Sequence, residues 1–273
     1  MLQAADIAAR SAELMVQAAC QLRPDVREAL EAARAAESNE RAREVLGALL
    51  ENDEVARRDG VPICQDTGTT WIHVELAAGE QIEGDLQAAC DAACAAASKQ
   101  AGLRDSLVAD AYHDRRNTAT NTPVFVDVAQ TDASRSRLQV MLKGAGSDNA
   151  SRIVMLDPDS TDDDIEAAVL AAVREKASMA CPPLIVGIGI GGTFDTVAKL
   201  SKRALLRPLG AAQDALARRL LAAVNATGIG PAALGGDTTA LAVLIETAPS
   251  HIAAKPLAIN LCCNALRSAS CEL

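Results

Sequence analysis

Aromatic side chains are almost absent: the 273 residues include one Trp, one Tyr and two Phe. Without large rings, a core must be filled by aliphatic residues and alanine within the 49% hydrophobic fraction. A chain of this kind gains further burial against a partner, so an assembly is expected. Excess positive charge is also lacking. Lys and Arg number 26 against 36 Asp and Glu, a net charge of −10. That argues against nucleic-acid binding, where affinity comes from cations that neutralise phosphates. It does not exclude a small dianion, because a few arginines create a local positive pocket in an acidic protein. No apolar run approaches the roughly 18 residues of a membrane span. The opening MLQAADIAARSAELMVQAAC carries Asp6 and Glu13 and does not read as an export signal. The expectation is therefore a cytoplasmic protein that meets no membrane. Eight cysteines in that setting read as thiols or metal ligands, not as a disulfide framework.

The pattern that is present is mixed α/β, a helical N-terminal region of about 60 residues followed by a β-containing core. Helices are expected over Leu2–Leu22, Asp25–Ala36 and Asn39–Arg58, with Ser38 as an N-cap and Gly60 as a stop. TWIHVELA alternates, Ile72, Val74 and Leu76 facing one way and Trp71, His73 and Glu75 the other, and reads as a strand. GDLQAACDAACAAASKQAG returns to helix and breaks at Gly102. VFVDVAQ and RLQVMLKG flank the polar TDASRS and read as a hairpin. STDDDIEAAVLAAVREKAS is a helix that Thr161 caps, with acids at its positive end and Arg174 and Lys176 at the other. LIVGIGI reads as a short buried strand, followed by a helix after the glycines and another over AAQDALARRLLAAV.

Gly187, Gly189 and Gly192 satisfy GxGxxG between a strand and a helix, the setting of a dinucleotide fingerprint. The acid expected about 20 residues later, at the end of a second strand, is missing. Close backbone packing at a strand–helix turn is the preferred explanation. Among the cysteines, Cys90 and Cys94 share a helical face with alanines and read as small core residues. Cys64, Cys181 and the Cys262–Cys263 pair lie instead where elements end, beside proline or polar residues. No short spacing joins them; only a fold can.

PICQDTG, KGAGSDN, CPPLIVGIGIGGT, GIGPAALGGDTTALAV and SHIAAKPLAIN resemble, in order and spacing, the α subunit of class I iron–sulfur fumarate hydratases. The α subunit of L-tartrate dehydratase is similar. The resemblance runs from about Gly60 to Arg267. It implies one α-type catalytic domain over 1–273 whose β-containing core binds a 4Fe–4S cluster. The matching ligands are Cys64, Cys181 and Cys263, with Cys262 the competing choice for the third. Cys263 lies twelve places after His251 of the HIA motif, and on an extended segment Cys262 points the other way. The family has His or another polar residue after that cysteine; here it is Asn264.

The resemblance also assigns the substrate side. The family's cluster has one iron without a protein ligand, a Lewis acid for a C4 dicarboxylate. Gln65 and Asp66, directly after Cys64, touch substrate or bound water, Asp66 in a catalytic role. Arg104 pairs with a substrate carboxylate. Gly144, Ala145 and Gly146 form a turn whose N–H groups face substrate. His251 hydrogen-bonds substrate or tunes its protonation state, whereas His73 and His113 read as core or surface side chains. The family's proposed base lies in a C-terminal region that two-component enzymes encode as a β subunit. A separate β subunit is therefore expected as partner, with fumarate and L-malate as substrates. L-tartrate dehydration, a non-catalytic iron–sulfur sensor or assembly relative, and nicotinamide-dependent chemistry on GIGIGG are the competing readings.

Overall fold

The computed structural model describes residues 1–210 and 214–273. Its elements run β1 (Leu2–Gln3), α1 (Ala4–Cys20), α2 (Pro24–Ala36), α3 (Glu40–Asp59), β2 (Thr69–Leu76), β3 (Ile82–Glu83), α4 (Leu86–Gln100), β4 (Phe125–Gln130) and β5 (Arg137–Lys143). They continue with α5 (Ala145–Asn149), β6 (Arg152–Leu156), α6 (Asp162–Lys176), β7 (Leu184–Gly192), α7 (Thr196–Leu206), α8 (Ala215–Asn225), β8 (Ala240–Ser250), β9 (Lys255–Cys262) and β10 (Ser268–Glu272). The architecture is mixed α/β with a helical front, as the sequence predicts. No helix among the described residues is long and apolar enough to cross a membrane.

The chain divides into two units. The first comprises Met1–Arg23, Asn52–Ala145 and Arg267–Leu273. Its four-stranded sheet has the order β10-β5-β2-β4. α1 buries Ala4, Ile7, Ala8, Ser11, Leu14, Met15, Ala18 and Ala19, a helical stripe of mostly small residues. α4 offers Cys90, Cys94 and Ser98, one helical turn apart. Small side chains on both helices let the pair pack tightly without rings. Their shared core reaches Ile72, Val74, Leu138 and Val140 of the sheet. The expected break at Gly102 is present, with φ +64°.

The hairpin expected from VFVDVAQ and RLQVMLKG does not form. β2 lies between β4 and β5, parallel to the first and antiparallel to the second. The physical reason is burial: Trp71, Ile72, His73 and Val74 of β2 are at most 5% exposed, so both its faces are covered and the strand belongs inside the sheet. The polar link instead arches over the end of β2. Thr131 N–H donates to Leu76 O, Ala78 N–H to Ala133 O, and Ala77 N–H to Ser136 Oγ. His73 is a core residue, stacked on Trp71 with Nδ1 2.9 Å from Asp127 Oδ2.

The second unit comprises Pro24–Glu51 and Gly146–Leu266. Its sheet has the order β6-β9-β7-β8. Leu184, Val186 and Ile188 face a core built with Ile165, Val169 and Val173 of α6 and Leu220 and Val224 of α8. The alternate positions of β7 are Gly187 and Gly189, and α7 lies on them. A Cβ at Gly187 would stand 2.3 Å from Ser201 O, and one at Gly189 2.5 Å from Val197 O. The glycines of GIGIGG thus allow helix backbone to touch strand backbone, the packing role preferred above.

One helix start differs in detail. Ser38 does not cap α3. Asn39 does, its Oδ1 accepting from Ala42 N–H, while the Ser38 hydroxyl donates to Asp237 Oδ2. Thr161 caps α6 as expected, its backbone N–H and hydroxyl both donating to Asp164 Oδ2. α8 begins at Ala215 with Asp214 Oδ1 accepting from Ala217 N–H; the Ala211–Gln213 start expected for this helix lies outside the described residues.

Candidate functional site

The loop that follows α3 is held from both sides. Gly60 turns the chain with φ +65°, a left-handed conformation that favours glycine. Ile63 N–H then donates to Ala19 O, while Ile63 O accepts from Asn52 Nδ2 at 2.9 Å. Cys64, next in line, is half-buried. Its sulfur accepts the Asp66 N–H and lies 3.4 Å from Gln65 Oε1. Gly68 closes the loop against β5. A Cβ there would lie 2.3 Å from Lys143 O, and φ is +75°. Gly68 is therefore required twice, by space and by backbone conformation.

This docking brings the QD pair onto the glycine turn of the same unit. Asp66 Oδ1 accepts from Gly68 N–H at 3.1 Å, and Asp66 Oδ2 accepts from Ala145 N–H at 2.9 Å. Arg104 reaches the same carboxylate, its Nη2 3.6 Å from Asp66 Oδ1. The Arg104 loop is fixed by Asn121, whose Nδ2 donates to Arg104 O and whose Oδ1 accepts from Ser106 N–H. Asp66, Arg104, Gly144 and Ala145, assigned separately from the sequence, thus stand together. The Ala145 N–H that the resemblance turns towards substrate is occupied here by Asp66.

One residue at this turn was not anticipated. Arg267 is 3% exposed, its carbonyl accepts from Leu142 N–H, and its Nε has no hydrogen-bond partner among the described residues. A Cβ on Gly144 would lie 3.1 Å from Asp66 Oδ2 and 3.5 Å from Arg267 Nη2. The sequence contained one usable signal, a lone cation in the otherwise uncharged ALRSAS.

In the second unit, antiparallel pairing of β7 with β9 sets Ile185 opposite Cys262. The segments just before β7 and just after β9 therefore share one end of the sheet. Cys181 lies on the first and Cys263 on the second. Asn264 clamps them, donating to Cys181 O from its backbone N–H at 3.2 Å and from Nδ2 at 2.9 Å. Cys181 is exposed and has φ +53°, a sparsely populated conformation for a residue with a side chain. Gly146 packs against the segment that leads into Cys181, since a Cβ there would stand 2.7 Å from Met179 O.

His251 lies at the opposite end of β9 from Cys263. It is exposed in the turn between β8 and β9, with Nδ1 accepting from Ala253 N–H. That bond leaves Nε2 as the protonated nitrogen of a neutral ring. β9 runs eight residues from Lys255 to Cys262, so His251 and Cys263 are separated by about 26 Å of strand.

All eight cysteines are thiols, none in a disulfide. Burial pushes Cys90 up to about 11, against a hydrogen bond with Ser11, and Cys94 up to about 12. Burial also raises Cys20 and Cys271. These thiols keep their protons, whereas a metal ligand must lose one. Cys262 is 2% exposed and packs as core, with Cys263 half-buried beside it. Cys64 and Cys263 are half-buried and Cys181 exposed, and thiolates are the donors that an iron–sulfur cluster takes. Among the described residues no three His, Cys, Asp or Glu gather around a point that could hold one metal ion. A cluster makes a different demand, because each thiolate binds its own iron.

The family model for Fumarate hydratase (Fumerase) matches residues 8–272 of this chain. A protein of Methanocaldococcus jannaschii, provisionally named L(+)-tartrate dehydratase subunit alpha, is 35% identical over 270 residues, covering 94% of each chain. The L(+)-tartrate dehydratase subunit alpha of Escherichia coli K12 is 29% identical over 250 residues, covering 89% of this chain and 82% of its own. The protein of the same name in Shigella sonnei stands at the same values, 29% over 250 residues.

Proposed function

Because the chain belongs to the fumarate hydratase (Fumerase) family, we propose that it is the α subunit of a hydro-lyase. It adds water to, and removes it from, a C4 dicarboxylate together with a separate β subunit, with fumarate and L-malate as the leading pair. One observation carries this reading: the Asp66 carboxylate is held by the Ala145 N–H and faced by Arg104, the donors that the resemblance turns towards substrate.

In this reading Cys64, Cys181 and Cys263 hold a 4Fe–4S cluster, which when bound supplies a Lewis acid for substrate oxygen. The remaining work falls to the chain's own groups. Arg104 binds one substrate carboxylate with its planar fork. The Gly144–Ala145–Gly146 turn offers N–H donors, which substrate takes by displacing Asp66. Gln65 would orient the substrate hydroxyl, and Asp66, once released, would hold or move a proton beside it. Dehydration of malate removes a proton next to a carboxylate, so negative charge builds on that carboxylate. Prearranged N–H groups and a guanidinium lower the cost of that charge. His251 is assigned the role of a hydrogen-bond donor through Nε2. The base is assigned to the β subunit.

A second reading, L-tartrate dehydration, is favoured by the names of the relatives. Anaerobic reconstitution followed by assays on L-malate and L-tartrate, with and without a β subunit, tests both. Turnover is expected only with the β subunit, and the ratio of kcat/KM values selects the substrate. Full turnover by the isolated chain would defeat the two-subunit reading. Inactivity towards every C4 dicarboxylate with the β subunit present would leave a cluster-binding sensor.

A further inference from the structure

A guanidinium stays charged at any pH the protein meets, and burying a charge without compensation is costly. Arg267 is nevertheless 3% exposed, with its Nε unpartnered among the described residues. The nearby acid is already engaged: Asp66 accepts from Ala145 and Gly68 and faces Arg104. The other end of the Arg267 side chain points to the glycine turn, Nη2 lying 3.5 Å from where a Gly144 Cβ would stand. The position that a Gly144 side chain would take is therefore bordered by a buried cation and a carboxylate. Its backbone is anchored independently of the guanidinium, through Leu142 N–H to Arg267 O. The cation is thus presented by the start of β10, not by a mobile loop.

We propose that Arg267 is a second substrate-binding guanidinium, which takes one carboxylate of the dicarboxylate at the Gly144–Ala145 peptide. Arg104, 59% exposed, takes the other from the solvent side. Two guanidinium groups, one buried and one exposed, would distinguish a dicarboxylate from a monocarboxylate. This rests on the hydro-lyase reading for the identity of the substrate, though not for the demand for an anion.

The test uses the cluster-loaded chain in complex with its β subunit. Succinate and butyrate binding are measured by calorimetry for the wild type, Arg267→Met and Arg267→Lys, with iron and sulfide content as a parallel readout. The expected result for Arg267→Met is a loss of succinate affinity of roughly 10- to 100-fold, the range for a charged hydrogen-bonded contact. The preference for succinate over butyrate collapses, and iron content stays the same. Arg267→Lys keeps the charge without the planar fork, so it recovers part of the preference. If Arg267→Met fails to fold, Arg267→Lys decides alone, with about a tenfold fall in the preference expected. An unchanged preference in the folded variants, or a wild type that does not bind succinate, overturns the proposal. Succinate binding that depends on Arg267, in a complex that turns over no C4 dicarboxylate, would instead sink the hydro-lyase reading and leave the anion site standing.

Discussion

GIGIGG within β7 and KGAGS at the end of β5 are both glycine-rich, and they differ in what occupies the space before each glycine. At Gly187 and Gly189 that space is filled by the main-chain carbonyls of Ser201 and Val197 in α7, at 2.3 and 2.5 Å from a notional Cβ. At Gly144 it is bordered by Asp66 Oδ2 at 3.1 Å and Arg267 Nη2 at 3.5 Å. A helix backbone in hydrogen-bonded register cannot retreat from an added methyl, whereas the tips of charged side chains can. The first is a packing joint and the second a wall of the proposed binding site. The same residue type serves both, so the glycine pattern alone does not separate them.

The contrast is tested most strongly by Gly187→Ala. Overpacking against a carbonyl is expected to cost about 3 kcal/mol of stability, read as a lower midpoint in urea unfolding. The activity of the molecules that remain folded should be unaltered. Normal stability with impaired ligand binding would break the distinction and restore a ligand role for GIGIGG. Gly144→Ala should behave in the opposite way. Stability should change by less than about 0.5 kcal/mol, while kcat/KM falls roughly tenfold, about 1.4 kcal/mol of transition-state binding. A stability loss as large as that of Gly187→Ala would make KGAGS another packing joint.

Much of this was readable in the sequence where one local signal determined the outcome. Thr161 with Asp164 fixes the start of α6, and Gly102 ends the α4 segment, because caps and left-handed turns are local. The small-residue character of Cys90 and Cys94 followed from their helical spacing among alanines. The hairpin expectation failed because strand order is decided by which strand can be buried on both faces. Alternation in TWIHVELA shows two faces but does not show that Trp71 and His73 are covered as well. Ser38 and Asn39 are both good caps, and a distant acid, Asp237, captured the hydroxyl of Ser38. The lone cation Arg267 could not be placed for a related reason: its significance lies in Gly144 and Asp66, more than a hundred positions away.

The smallest expected effect carries the comparison to the cysteines. Cys94 is a packing residue, 2% exposed, with its thiol pushed up to about 12 from 9.0 by burial. Cys94→Ala leaves a small void and should cost about 1 kcal/mol at neutral pH, with iron content after reconstitution unchanged. Cys181→Ser should prevent stable cluster assembly. The pH dependence separates the two roles further. Below pH 9.0 the Cys94 thiol is protonated in both folded and unfolded chains, so its contribution is fully present. Between 9.0 and about 12 the unfolded chain loses that proton while the folded chain keeps it, so stability falls as pH rises. Cys94→Ala should therefore flatten the alkaline decline, measured by urea unfolding near neutral pH and again midway through that window. An alkaline decline as steep as that of the wild type would mean that Cys94 ionises in place, and its separation from the ligand thiols would be lost.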